Sequence, residues 1–208
     1  MKRQSHSKAN DAGLSRLRKT RVHRPLRLKP YPQRAGYCGA ASLKILSGYF
    51  GKEYGEIMLA RLCGTTVENG TDHDGLITGA QKIGATVFAK SGGSVRELRY
   101  FILERKLPVL VGWFLHDHDV HTDHFSVACH LSKRYIHLMD PYFKKGRRSK
   151  YGCKNGKRKM SIRNFLEQWY DFDTPENLRV ERWYMVINFQ GLKFSFPRGI
   201  NYETGPAQ

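Results

Sequence analysis

Residues 33–51 read QRAGYCGAASLKILSGYFG. Gly36 marks a turn, and beyond it Ala41, Leu43, Ile45, Leu46, Tyr49 and Phe50 are apolar at helical spacing. The stretch therefore predicts a helix that ends at Gly48 or Gly51, with Cys38 in its first turn. A thiol there sits at the positive end of the helix dipole, near backbone N–H groups that have no helical partner. Both favour a thiolate. Gln33, five positions upstream, supplies a side-chain amide that could donate to an oxyanion beside the sulfur.

The helical character continues to either side of a short extended run. Residues 53–63 (EYGEIMLARLC) predict a second short helix stopped by Gly64, and LITGAQKIG after Asp74-Gly75 a third that stops at Gly84. Residues 85–89 read as a short strand. Ser94 with Glu97 forms a capping-box pattern for a fourth helix, VRELRYFILERK. After Pro108 the period becomes extended: VLVGWFL, HFSVACHL, YIHLMD and WYMVINF are strand-length and rich in β-branched and aromatic residues, with SIRNFLEQWY between them as a helix. This order predicts an α+β domain, a helical layer packed on an antiparallel sheet. Gly92-Gly93 reads as a turn.

Length and charge bound the organisation. The 208 residues suffice for one domain with a substantial core. Ten Lys/Arg against one acid in residues 1–30, and nine with no acid in residues 144–159, carry the whole net charge of +18. The division expected is a basic, flexible arm over 1–28 and a globular domain over 29–208 with a basic loop insertion at 144–159. A polyanion, nucleic acid or another acidic surface, is the partner such segments would attract. No apolar run reaches membrane-spanning length and the first residues lack a secretory pattern. Cys38, Cys63, Cys129 and Cys153 form no CxxC pair, which suits a reducing, cytoplasmic setting.

Cys38 needs a base. His124 opens one strand and Asp140 closes the next, and Ser132-Lys133-Arg134 joins the two runs. In an antiparallel hairpin the start of the first strand lies beside the end of the second. His124 and Asp140 are thus expected as neighbours, the carboxylate fixing the imidazole for work on the thiol. The run HDHDVHTDH (116–124) has the composition to attract a divalent cation but reads as a polar loop leading into His124, so no metal or cofactor is expected.

At these residues the chain resembles the C39-like branch of papain-like cysteine peptidases, the group related to double-glycine leader peptidases of bacteriocin exporters. The resemblance runs from about Tyr31 to Phe189 and includes Gln33, CGAASLKIL, GTDHDGLITGAQKIGA, VLVGWF, DHFSV, YIHLMDP and FLEQWYDF. Ala40 stands where these enzymes often carry proline. The resemblance implies a papain-like fold with Cys38 as nucleophile, His124 as general base and then acid, Asp140 as orienter, and Gln33 with the Cys38 N–H as oxyanion hole. A peptide or protein would be the substrate. Two other readings stay open: a catalytically idle basic module binding peptide or nucleic acid, and an acyl transferase using an acceptor other than water.

Overall fold

The computed structural model describes residues 23–117, 120–144, 153–173, 177–189 and 194. Three helices come first: α1 (Cys38–Tyr49), α2 (Glu56–Leu62) and α3 (His73–Lys82). Strand β1 (Thr86–Lys90) precedes α4 (Val95–Arg99), which opens on the expected capping box and widens into a π-helical turn, Tyr100–Glu104. Strands β2 (Val109–Asp117), β3 (Val120–Leu131), β4 (Tyr135–Met139) and β5 (Lys157–Ser161) follow, then α5 (Ile162–Gln168). Strands β6 (Tyr170–Asp173), β7 (Leu178–Glu181) and β8 (Tyr184–Asn188) complete the order.

Six strands form one antiparallel sheet in the order β1-β8-β2-β3-β4-β5, and β6 and β7 pair separately. Alternation along the strands divides the core in two. Leu110, Phe125, Val127, Met185 and Ile187 pack with Leu43 and Leu46 of α1, Leu59 of α2 and Leu76 of α3. Val109, Val111, Trp113, Ala128, Leu138 and Val186 pack with Leu98 of α4, Phe101 and Phe165. The sheet is therefore covered on both faces, α1–α3 against one and α4–α5 against the other, and the α+β architecture is the one expected.

Three local departures have physical causes. The 116–124 run is not a loop: β2 and β3 continue through it, with His116 opposite His121 and a connection of two residues. Cross-strand pairing extends the hairpin past the last apolar residue, which hydropathy alone does not register. The basic stretch expected as an insertion at 144–159 ends in strand β5, where Lys157, Arg158 and Lys159 pair with Met139, Leu138 and His137. Residues 145–152 lie outside the described residues. Of the N-terminal arm, residues 1–22 also lie outside them, whereas the next residues run extended over the sheet: Leu28 is buried and the Leu26 N–H donates to the Cys129 carbonyl at 2.9 Å. Gly92 and Gly93 form a turn whose N–H groups donate to Glu181 and Arg182. Among the described residues no helix is long and apolar enough to cross a membrane.

Candidate active site

Cys38 is the first residue of α1, and the local sequence explains why it can be there. Gly36 takes φ +75° in the turn before it, close against the Val67 carbonyl. Gly39 passes so near Thr71 that a Cβ would meet its side chain at 2.7 Å, so only glycine fits after Cys38. No side chain caps the helix start at Tyr37 and no acid stands in the first turn. The first N–H groups of α1 thus keep their hydrogen-bonding capacity on the side of the thiol. Cys38 is partly exposed, whereas Cys63, Cys129 and Cys153 are buried, and all four are free thiols.

His124 lies in β3 and is 3% exposed. Helix and strand are tied one residue away: Ser42 Oγ donates to the Phe125 carbonyl at 2.9 Å inside the core. Asp140 follows β4 directly and is fully buried. His124 Nε2 lies 2.7 Å from Asp140 Oδ1. The second oxygen, Oδ2, accepts from Arg158 Nε at 2.6 Å, and the Tyr142 N–H donates to Oδ1 at 2.8 Å. A carboxylate so surrounded by donors can only accept, so Nε2 carries the proton and Nδ1 is the ring nitrogen left for Cys38.

The electrostatics follow from this packing. Burial pushes the His124 pKa down, but the Asp140 charge and hydrogen bond, helped by the Cys38 sulfur, outweigh it and raise it to about 9. Burial would raise the Asp140 carboxyl; His124 and then Arg158 overcome that and hold it below the usual carboxylate range. Burial lifts Cys63 and Cys129 to about 12 and Cys153 to about 11, so these thiols stay protonated. Trp113 stands edge-on to the His124 ring at 5.5 Å, and the Arg158 guanidinium lies 5.4 Å over the Trp113 ring.

Gln33 is placed beside the same turn, its backbone N–H donating to the Pro141 carbonyl at 3.0 Å. Its side-chain oxygen is buried with no hydrogen-bond partner, so part of this amide's bonding capacity is unused.

Sequence reasoning missed two features. Arg158 is one of nine basic residues in 144–159, and nothing in that run separates it from its neighbours. The other is a buried group beside the site. His73 Nε2 lies 2.9 Å from Asp171 Oδ2, and the His73 ring stacks on Trp183 at 4.2 Å. Next to His124, Asp123 accepts from the Phe172 N–H at 3.1 Å, and burial with the nearby Asp171 raises its pKa to about 6. The pattern DHDG at 72–75 was the only hint, and its partner lies 98 residues away. Among the described residues no cluster of three or more His, Cys, Asp or Glu is arranged to hold a metal ion.

Solved structures show what this fold is similar to. The peptidase domain of Streptococcus ComA, a bifunctional ABC transporter of a quorum-sensing pathway, is 17% identical with a TM-score of 0.56, covering 79% of this chain and 100% of that one. A double-glycine-motif protease from an AMS/PCAT transporter, solved with the leader peptide, is 18% identical with a TM-score of 0.55, over 78% and 92%. A Bacillus anthracis protein described as C39-like is 14% identical with a TM-score of 0.56, over 81% and 96%. No match was found among curated proteins. The model of the peptidase C39 family matches residues 31–172, most of the chain and every residue of the cluster around Cys38, and the chain belongs to that family.

Proposed function

We propose that the chain is a cysteine peptidase that cleaves peptide bonds with Cys38, His124 and Asp140. The observation that supports this best is the 2.7 Å bond from His124 to a buried carboxylate, on a ring whose other nitrogen is left for a thiol at an uncapped helix start. His124 Nδ1 takes the thiol proton and the sulfur attacks the peptide carbonyl carbon. The oxyanion that forms lies toward the first N–H groups of α1, with the Gln33 amide as a second donor. The tetrahedral intermediate collapses, the C–N bond breaks, and the His124 proton goes to the departing amine. Water, deprotonated by the same ring, then hydrolyses the thioester and releases Cys38. Asp140 keeps the ring in the correct tautomer and stabilises the imidazolium.

Hydrolysis of a mixed peptide library, followed by mass spectrometry, tests the reading. Cleavage by the wild type that is lost in Cys38→Ala and His124→Ala, both still folded, is the expected result. A peptide retained intact by the wild type would leave a binding module instead. Trapping of a primary amine on the product in place of water would reassign the reaction to acyl transfer.

A further inference from the structure

The two basic segments of the sequence meet in space. A cavity of about 310 Å³ opens where residues 25–28 cross β4 and β5. Arg27, His137, Lys157, Arg158 and Lys159 line it, and no acidic side chain does. The crossing segment is anchored at the irregularity where β3 shifts register against β4, which frees the Cys129 carbonyl for the Leu26 N–H. So the wall bearing Arg27 is held against the sheet on both sides of that residue, by the Leu26 bond and by the buried Leu28.

The positive charge in this cavity is incompletely compensated. Arg158 is committed to Asp140, and Lys159 lies 4.0 Å over the Tyr135 ring. Neither Arg27 nor Lys157 meets a carboxylate among the described residues. Burial, and then the Lys159 charge, push the His137 pKa down, so this ring adds no further positive charge to the cavity at neutral pH. Cations gathered round one small volume repel one another unless an anion enters.

We propose that this cavity binds a phosphate group, carried by a free nucleotide or by a nucleic-acid backbone. A phosphate monoester brings about −1.5 to −2 charges, and a nucleic-acid backbone brings one on each successive phosphodiester, so either source can answer three cations where a lone carboxylate supplies a single charge. The guanidinium fork of Arg27 and the point charges of the lysines are the usual phosphate partners. The volume lies at the small end of ligand pockets, roughly 300–1,000 Å³, enough for a phosphate with its sugar and too small for a folded domain. Binding here does not require that the chain be a peptidase.

The test is calorimetric titration of the full chain with inorganic pyrophosphate, in the wild type and in Arg27→Gln/Lys157→Gln/Lys159→Gln, with Lys52→Gln/Lys82→Gln as a charge control. Saturable 1:1 binding that weakens by about tenfold or more in the triple variant, and hardly in the control, is expected, with affinity falling as salt rises. A single-stranded oligonucleotide displaced by pyrophosphate identifies the backbone as the source. ATP that competes while the oligonucleotide does not identifies a free nucleotide. The proposal is overturned by absence of saturable pyrophosphate binding, by equal binding in the triple variant, or by displacement of pyrophosphate by oligoglutamate at equal concentration. Thermal unfolding of the triple variant checks that these exposed changes leave the fold intact.

Discussion

Arg158 Nε lies 2.6 Å from Asp140 Oδ2, on the carboxylate oxygen that His124 does not use. The two cations divide one buried anion between them. This fixes the plane of the carboxylate, and with it the direction from which Oδ1 reaches the imidazole. It also keeps Asp140 ionised in an interior that would otherwise protonate it.

Removing the guanidinium should therefore cost stability as well as reactivity. We predict that Arg158→Met lowers unfolding free energy by about 3 kcal/mol, since it leaves a buried charge with one partner fewer. Urea unfolding measures this. A variant as stable as the wild type would mean that the ion pair contributes only geometry.

Thiol chemistry should single out Cys38. His124 keeps its proton up to about pH 9, so an imidazolium faces the sulfur at pH 6, while the other three thiols are buried and protonated. Iodoacetamide at pH 6 should label Cys38 far faster than Cys63, Cys129 or Cys153, as read by peptide mapping. His124→Ala should abolish the preference, and Asp140→Ala should weaken it less, because Asp140 acts through the ring. Equal labelling of all four in the folded wild type would remove the basis for a nucleophilic Cys38.

Stability should depend on pH with a defined sign. His124 is raised to about 9 from an unfolded value near 6.5, so its contribution is complete below about pH 6.5 and is lost as pH climbs through 9. Asp140 is lowered, so its contribution is present above about pH 4 and is lost on acidification. Urea midpoints should fall as pH climbs from about 6.5 through 9, and His124→Gln should flatten that fall. Asp123, raised to about 6, has the opposite sign for a carboxyl: it costs stability as pH rises from about 4 through 6. Asp123→Asn keeps an acceptor for the Phe172 N–H and should gain about 1 kcal/mol at pH 7, the value allowing for partial exposure. A loss at pH 7 would show that the carboxylate is needed there.

Gly112 tests the packing behind the site. A Cβ at this position would run into Asp171 Oδ2, the atom that meets His73 Nε2, and neither side chain has room to retreat. We predict that Gly112→Ala destabilises by about 2–3 kcal/mol. Because Trp113 follows directly, Cys38 alkylation should slow in parallel. Unchanged thermal unfolding would mean that β6 can shift away from β2.

Much of this arrangement was legible in residue order. Cys38 starts a helix whose apolar spacing is plain, and His124 and Asp140 fall at the mouth of a hairpin whose three-residue link fixes their proximity. What stayed hidden depends on long-range pairing. KRKMS in β5 has no apolar alternation, so only its register with β4 reveals a strand and brings Arg158 to Asp140. His73 and Asp171 are polar residues at unrelated positions until β6 folds against β2. The continuation of β2 and β3 through 116–124 is likewise a property of the pair of strands rather than of either one.

Strand β8 occupies a place in the sheet that its place in the chain does not suggest. It lies between β1 and β2, joining strands that were synthesised roughly 75–100 residues earlier. Cys38, His124 and Asp140 all leave the ribosome before residues 184–188 do, so the nascent chain carries these three side chains while the sheet still lacks an interior strand. Domains fold as units once their last element is available. A ribosome-bound chain halted after residue 180 should then show no preferential alkylation of Cys38, and reactivity should appear only when β8 has emerged. The late strand acts as a timer: preferential alkylation of Cys38 is expected only once residues 184–188 are free to take their place between β1 and β2.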